Sequence, residues 1–140
     1  MKNKGFTLIE LLAVIVILAI IALIATPMIL GVIDTAKKGS AESAALGYID
    51  AVEKTIMLSQ FTNSPVTVAA DNTVYKVQSN GSLKADNGST INVSFKGEAP
   101  KENGTVTINK SGEVTAISLE FAKVYSGHTV TYANGVATAS

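Results

Sequence analysis

A chain of 140 residues fits one globular unit, and its eleven basic residues are balanced by eleven acidic ones. With no Arg and no basic stripe interleaved with aromatics, it lacks the electrostatic footprint of a nucleic-acid binder, so no nucleic-acid partner is expected. The absence of Cys excludes disulfides, thiolate metal sites and Cys nucleophiles, so any small domain here must stand on packing alone.

The 47% hydrophobic content is concentrated at the front, where Leu11 to Ile33 form 23 residues without a charge. As a helix this stretch extends roughly 35 Å at about 1.5 Å per residue. That suffices to cross a hydrocarbon core of about 30 Å. Lys2 and Lys4 precede it, so the positive-inside rule leaves the N-terminus in the cytoplasm and exports the chain beyond the apolar stretch. Three readings compete: a cleaved secretory signal, an uncleaved anchor, or a segment trimmed ahead of its hydrophobic stretch. A secretory signal has an apolar region of about 7 to 15 residues, and this one is longer, with only weak sites at Ala22-Leu23-Ile24-Ala25. A plain anchor gives no reason for Glu10. A carboxylate inside an apolar segment is costly and asks for a function, although snorkelling to the headgroups would accommodate it this near the membrane surface.

The run Lys4-Gly5-Phe6-Thr7-Leu8-Ile9-Glu10-Leu11-Leu12 resembles the class III signal of type IV prepilins and pseudopilins. The close resemblance covers roughly the first 35 residues; beyond them only the architecture is similar. It implies that residues 1–5 are a leader, that a membrane prepilin peptidase cuts after Gly5, and that Phe6 becomes an N-methylated N-terminus. It also implies that Glu10 acts during assembly. The physics agrees, because cleavage leaves a cationic amine at Phe6 with no water to solvate it once the helix leaves the bilayer laterally. Glu10 of a neighbouring subunit can supply the anion, and two buried charges that are each expensive alone compensate when paired. Such a pair also selects the axial register between helices.

Pro27 interrupts the apolar run, removing a backbone donor and crowding the carbonyl of Leu23, and Gly31 comes one turn later. A tolerated kink, common in membrane helices, is one reading. The resemblance suggests another, that helix around this proline melts in assembled filaments.

From Asp34 to Gln60 the pattern stays helical, with Ala41, Ala45, Tyr48 or Ile49, Val52 and Ile56 at spacings of three and four. One face is therefore apolar. Asp34 with Lys38 and Asp50 with Lys54 are acid-before-base pairs that keep the opposite face solvated. Gly39 and Gly47 weaken the helix by about 1 kcal/mol each relative to Ala, so packing on the C-terminal domain must secure it. From Phe6 to about Gln60 the helix would reach roughly 80 Å, far more than a bilayer needs.

Asn63-Ser64-Pro65 reads as a break, after which alternation predicts strands at Thr73 to Val77, Thr90 to Phe95, Thr105 to Asn109, Glu113 to Leu119 and Thr129 to Tyr132. Asn80-Gly81, Asn87-Gly88, Asn103-Gly104, Ser111-Gly112 and Asn134-Gly135 offer the positive-φ positions of tight turns. The best hairpin joins Thr105 to Asn109 with Glu113 to Leu119 around Lys110-Ser111-Gly112. The sheet should be antiparallel, its apolar face on the helix stripe. A head of about 80 residues has a thin core and needs that second surface.

No chemistry is legible in the head. His128 is the only His and reads as a surface or structural residue. Asp71, Asp86, Glu98 and Glu102 lack the spacing of a Ca²⁺ loop, so no metal is predicted. Asn80, Asn87, Asn92, Asn103 and Asn109 each begin an Asn-x-Ser/Thr triplet, which a turn-rich composition generates without any glycan.

The expected fold is α+β: a long N-terminal α-helix, membrane-spanning in its first half, packed by its second half on a small antiparallel β-sheet head. The expected organisation is a leader at residues 1–5, a transmembrane and filament-core helix at 6–33, its amphipathic continuation at 34–60 and a β-rich head at 61–140. With the resemblance, this predicts the major-type structural subunit of a bacterial type IV pilus, not an enzyme, with no cofactor. Its partners would be identical subunits, the prepilin peptidase, the pilus assembly machinery and, before assembly, the cytoplasmic membrane. It would begin as a single-pass membrane protein with its head outside and end in an extracellular pilus, the missing Cys resembling pilins of monoderm bacteria. A pseudopilin of a secretion or DNA-uptake apparatus is the near alternative. A membrane-anchored β-domain that grips a surface polymer is the alternative from another class.

Overall fold

The computed structural model describes residues 5–68, 70–123 and 127–140. Lys2 and Lys4, with most of the expected leader, lie outside the described residues. One helix, α1 (Leu8–Ser59), precedes seven strands: β1 (Thr73–Val77), β2 (Leu83–Ala85), β3 (Thr90–Ile91), β4 (Thr105–Ile108), β5 (Val114–Glu120), β6 (Thr129–Ala133) and β7 (Val136–Ala139). The strands form one antiparallel sheet in the order β3-β2-β1-β4-β5-β6-β7. A long N-terminal helix succeeded by an antiparallel sheet is the expected α+β, pilin-like architecture. The chain divides into two compact units, Met1–Ala36 and Lys37–Ser140.

In the first unit the large side chains of α1 stand exposed from Leu8 through Ile33. It is the apolar end of a helix that is long and apolar enough to cross a membrane, with an 18-residue stretch of mean hydropathy 3.2. The helix continues through Pro27 without a break. Pro27 has no N–H for the carbonyl of Leu23. On either side of it, hydroxyls bond back to the preceding turn: Thr26 donates to the Ala22 carbonyl at 2.7 Å and Thr35 to that of Gly31 at 3.0 Å.

In the second unit Ala41, Ala45, Tyr48, Ile49, Val52 and Ile56 are buried, so the predicted stripe holds, with Tyr48 and Ile49 both in it. They share one core with alternate residues of the sheet, among them Tyr75, Val77, Leu83, Ile91, Val106, Ile108, Leu119 and Val130. Burial of this apolar area, at roughly 25 cal/mol per Å², is the main force on the head. Gly39 and Gly47 sit in open space, where a Cβ would meet nothing, so no close approach explains them. Asp50 and Lys54 form the expected exposed pair at 3.3 Å.

Three polar contacts fix the helix on the sheet. The Tyr48 hydroxyl donates to the Gly81 carbonyl at 2.7 Å, Glu53 Oε1 accepts the Val114 N–H at 2.8 Å, and Glu42 Oε1 accepts the Ala139 N–H at 2.9 Å. The Val114 contact has a local cause. The β4–β5 register shifts between Thr107 and Ile108, so Val114 faces Ile108 while Ala116 faces Thr107. This bulge brings both Val114 and Ile117 to the core, and a backbone donor beside it needs a partner from outside the ladder. Glu53 is that partner.

The predicted β4–β5 hairpin is present, with its turn at Lys110-Ser111-Gly112. One expectation needs correction, and two details go beyond the sequence reading. The strand predicted from Thr90 to Phe95 pairs only at Thr90–Ile91, because the chain then leaves the sheet and turns Phe95 edge-on to Tyr48, with ring centroids 5.3 Å apart. Strands β2 and β7 were not predicted: β2 has three residues, and β7, Val-Ala-Thr-Ala, puts only alanines towards the core. At Asn103-Gly104 it is Asn103 that takes positive φ, at 68°. Gly104 serves close approach instead, since a Cβ there would lie 3.0 Å from Leu119 Cδ2.

Candidate functional site

The residues singled out at the N-terminus fall at the start of α1. Thr7 is the last non-helical residue, and the first helical hydrogen bond runs from Leu11 N–H to its carbonyl at 3.2 Å. Glu10 Oε2 accepts the Thr7 N–H at 2.8 Å and the Thr7 hydroxyl at 2.9 Å, while the Glu10 N–H donates to Thr7 Oγ1 at 3.3 Å. This reciprocal arrangement is a capping box, which satisfies donors that a helix start leaves unpaired and puts a carboxylate at the positive end of the helix dipole. The sequence reading missed it, although Thr7-x-x-Glu10 ahead of an apolar run is its signature. Glu10 therefore has a structural task within its own chain, besides any task towards a neighbour.

Gly5 and Phe6 precede the helix, and Phe6 is 95% exposed. Among the described residues, a Cβ added at Gly5 would meet nothing within 4 Å. No packing among the described residues asks for glycine there. Pro27 and Gly31 lie further along the same helix, and a Cβ at Gly31 likewise meets nothing.

Elsewhere the candidates stay apart. Asp71 Oδ1 accepts the Lys110 N–H at 2.8 Å, Asp86 pairs with Lys76 at 3.5 Å, and Glu98 accepts the Lys123 N–H. Each holds a loop to a neighbour. Among the described residues no group of three or more His, Asp or Glu could hold a metal ion. His128 is 8% exposed, which makes it a buried residue and not a surface one. An open groove of about 530 Å³ lies between α1 and the 94–96 segment, edged by Asp50, Lys54, Leu58, Phe95 and Lys96. Burial pushes the Tyr48 phenol well above its usual range and that of Tyr75 upward too.

Comparison with curated proteins and with solved structures gives no match. The family model described as the prokaryotic N-terminal methylation motif matches residues 1–26. That segment holds the Gly5-Phe6 junction, the capping box and most of the apolar stretch. The chain thus carries at its N-terminus the class III signal motif of type IV pilins and prepilins, on a helix fit to anchor a precursor in a membrane.

Proposed function

We propose that this chain is the major-type subunit of a type IV pilus, cut after Gly5, methylated at Phe6 and assembled through α1 into an extracellular homopolymer. The observation that carries the reading is the junction itself: a glycine for which packing gives no reason, succeeded at once by Phe6 and a capped apolar helix. A pilin-like or pseudopilin precursor is the coarser statement that the motif supports directly. Glu10 is assigned the Phe6 amine of the next subunit, and the segment around Pro27 and Gly31 is assigned the extensible part of the stem. Residues 6–33 then form the membrane span and filament core, residues 34–60 the support of the head, and residues 61–140 the exported face of the filament. The prepilin peptidase and the assembly machinery are its processing partners, and the head lies outside the cytoplasmic membrane before assembly.

Intact-mass analysis of sheared surface filaments tests the reading. The expected mass is that of residues 6–140 with one added methyl group. A chain that begins at Met1, or after Ala25, overturns it.

A further inference from the structure

Four Asn-Gly steps lie in the head, and the fold treats them differently. At Asn80-Gly81 the Gly81 N–H donates to Gln78 at 2.8 Å, the Asn80 side chain accepts from Ser82 N–H and Oγ, and a Cβ on Gly81 would run into the Phe95 ring. At Asn87-Gly88 the Gly88 N–H donates to Ala85 at 3.0 Å and Asn87 accepts from Ser89. At Asn103-Gly104 the glycine N–H donates to Lys101, but at 3.4 Å. At Asn134-Gly135 neither the Gly135 N–H nor the Asn134 side chain has a hydrogen bond among the described residues, and both residues are exposed. They form the two-residue turn between β6 and β7, with φ of 54° and 84°.

We infer that Asn134 is a site of spontaneous deamidation selected by the fold, with water as the only co-reactant. The Gly135 amide nitrogen attacks Cγ of Asn134 and closes a succinimide ring. The bond from Cγ to the side-chain nitrogen breaks, and ammonia leaves with the proton from Gly135. Water opens the ring at one carbonyl or the other and leaves aspartate or isoaspartate. Attack requires the Asn134–Gly135 peptide to rotate out of its turn geometry, and glycine, lacking Cβ, opposes this least. A hydrogen bond on the glycine N–H must first be broken at the other three steps, and at Asn134 there is none to break.

Either product adds a negative charge to a chain with no net charge. Isoaspartate also inserts a main-chain carbon between Ala133 and Val136, which pair across the turn. Edge strand β7 would fray from that tip. Its far end stays held by the Glu42 contact to Ala139 and the paired Thr129 and Ser140.

The test is timed digestion and peptide mass mapping of the full chain in detergent micelles at mildly alkaline pH, beside a sample in denaturant. Asn134 should convert first, about two- to tenfold ahead of Asn80 and Asn87, the factor expected for one hydrogen bond that must open. Asn103 should fall between them. In denaturant the four rates should converge. Conversion of Asn80 or Asn87 as fast as Asn134 overturns the inference, and so does the same spread of rates in denaturant, because the order would then belong to local sequence.

Discussion

Ile56 and Gly112 offer a direct test that the helix stripe supports the sheet. Ile56 is 4% exposed on α1, and Gly112, in the β4–β5 turn, has φ of +86°. A Cβ at Gly112 would lie 2.7 Å from Ile56 Cγ2, so the turn closes directly over that side chain. Ile56→Ala removes a fully packed side chain, for about 2–5 kcal/mol. Gly112→Ala adds about 1–2 kcal/mol of left-handed strain and about 1–3 kcal/mol of overpacking against Ile56. Only the overpacking disappears when Cγ2 is absent. The double variant should therefore be more stable than the sum of the singles by roughly 0.5–3 kcal/mol. Urea unfolding of a fragment from Thr35 onward, monitored by circular dichroism, measures all four corners of the cycle. Additivity within about 0.3–0.5 kcal/mol would refute the claim that the turn rests on the helix.

The Tyr75 hydroxyl is buried without a hydrogen-bond partner among the described residues, so Tyr75→Phe should leave the fragment at least as stable, with a gain of up to about 1–3 kcal/mol in the same urea titration. Burial raises the folded-state pKa of Tyr48 and Tyr75, so the stability they contribute is intact below the unfolded tyrosine value of about 10 and is lost as pH rises past it. Tyr48→Phe should flatten that alkaline loss while weakening the head at neutral pH by about 0.5–1.5 kcal/mol through the lost bond to Gly81, both read from thermal midpoints against pH. In cells, Glu10→Gln should leave insertion and leader cleavage intact but sharply reduce sheared filament, whereas Thr7→Ala, which spares the carboxylate, should keep filament yield near wild type. The opposite ranking would make the cap, not the charge, the function of Glu10.

The parts legible in the sequence are those where one local rule acts alone. Spacings of three and four placed Ala41 through Ile56 on one face, and alternation found β1, β4, β5 and β6. The elements that escaped depend on partners distant in sequence. Strand β2 exists because Leu83 and Ala85 pair with Val77 and Tyr75, and β7 because a tight turn returns it onto β6. Ser-Leu-Lys-Ala and Val-Ala-Thr-Ala carry little β preference of their own. Phe95 continued the alternation of its predicted strand, yet packing against Tyr48 drew it off the sheet. Nothing in the local sequence singles out Glu42 and Glu53, because the backbone donors they accept from, at Ala139 and Val114, are far away in the chain. The capping box, by contrast, is local and readable, since Thr7-x-x-Glu10 stands directly ahead of an apolar run.

The proposed pairing of Glu10 would conflict with its capping contact if each needed the whole carboxylate, but the geometry divides it. Both bonds from Thr7 end on Oε2. Oε1 receives no hydrogen bond among the described residues, and a carboxylate has about four acceptor positions. An amine arriving at Oε1 therefore leaves the cap intact, and the cap holds the acceptor still while it arrives. Cleavage after Gly5 would create an amine on Phe6, one residue before the Thr7 N–H that already binds this carboxylate. On the proposed reading the subunit's own amine would compete for Glu10, and the neighbour's would have to win through helix packing that brings it to Oε1. Substitution by Gln preserves an oxygen for the cap and removes the charge, while Thr7→Ala removes the cap's hydroxyl and preserves the charge. The comparison of these two variants isolates the charge because the observed cap and the proposed pairing use different atoms of one side chain.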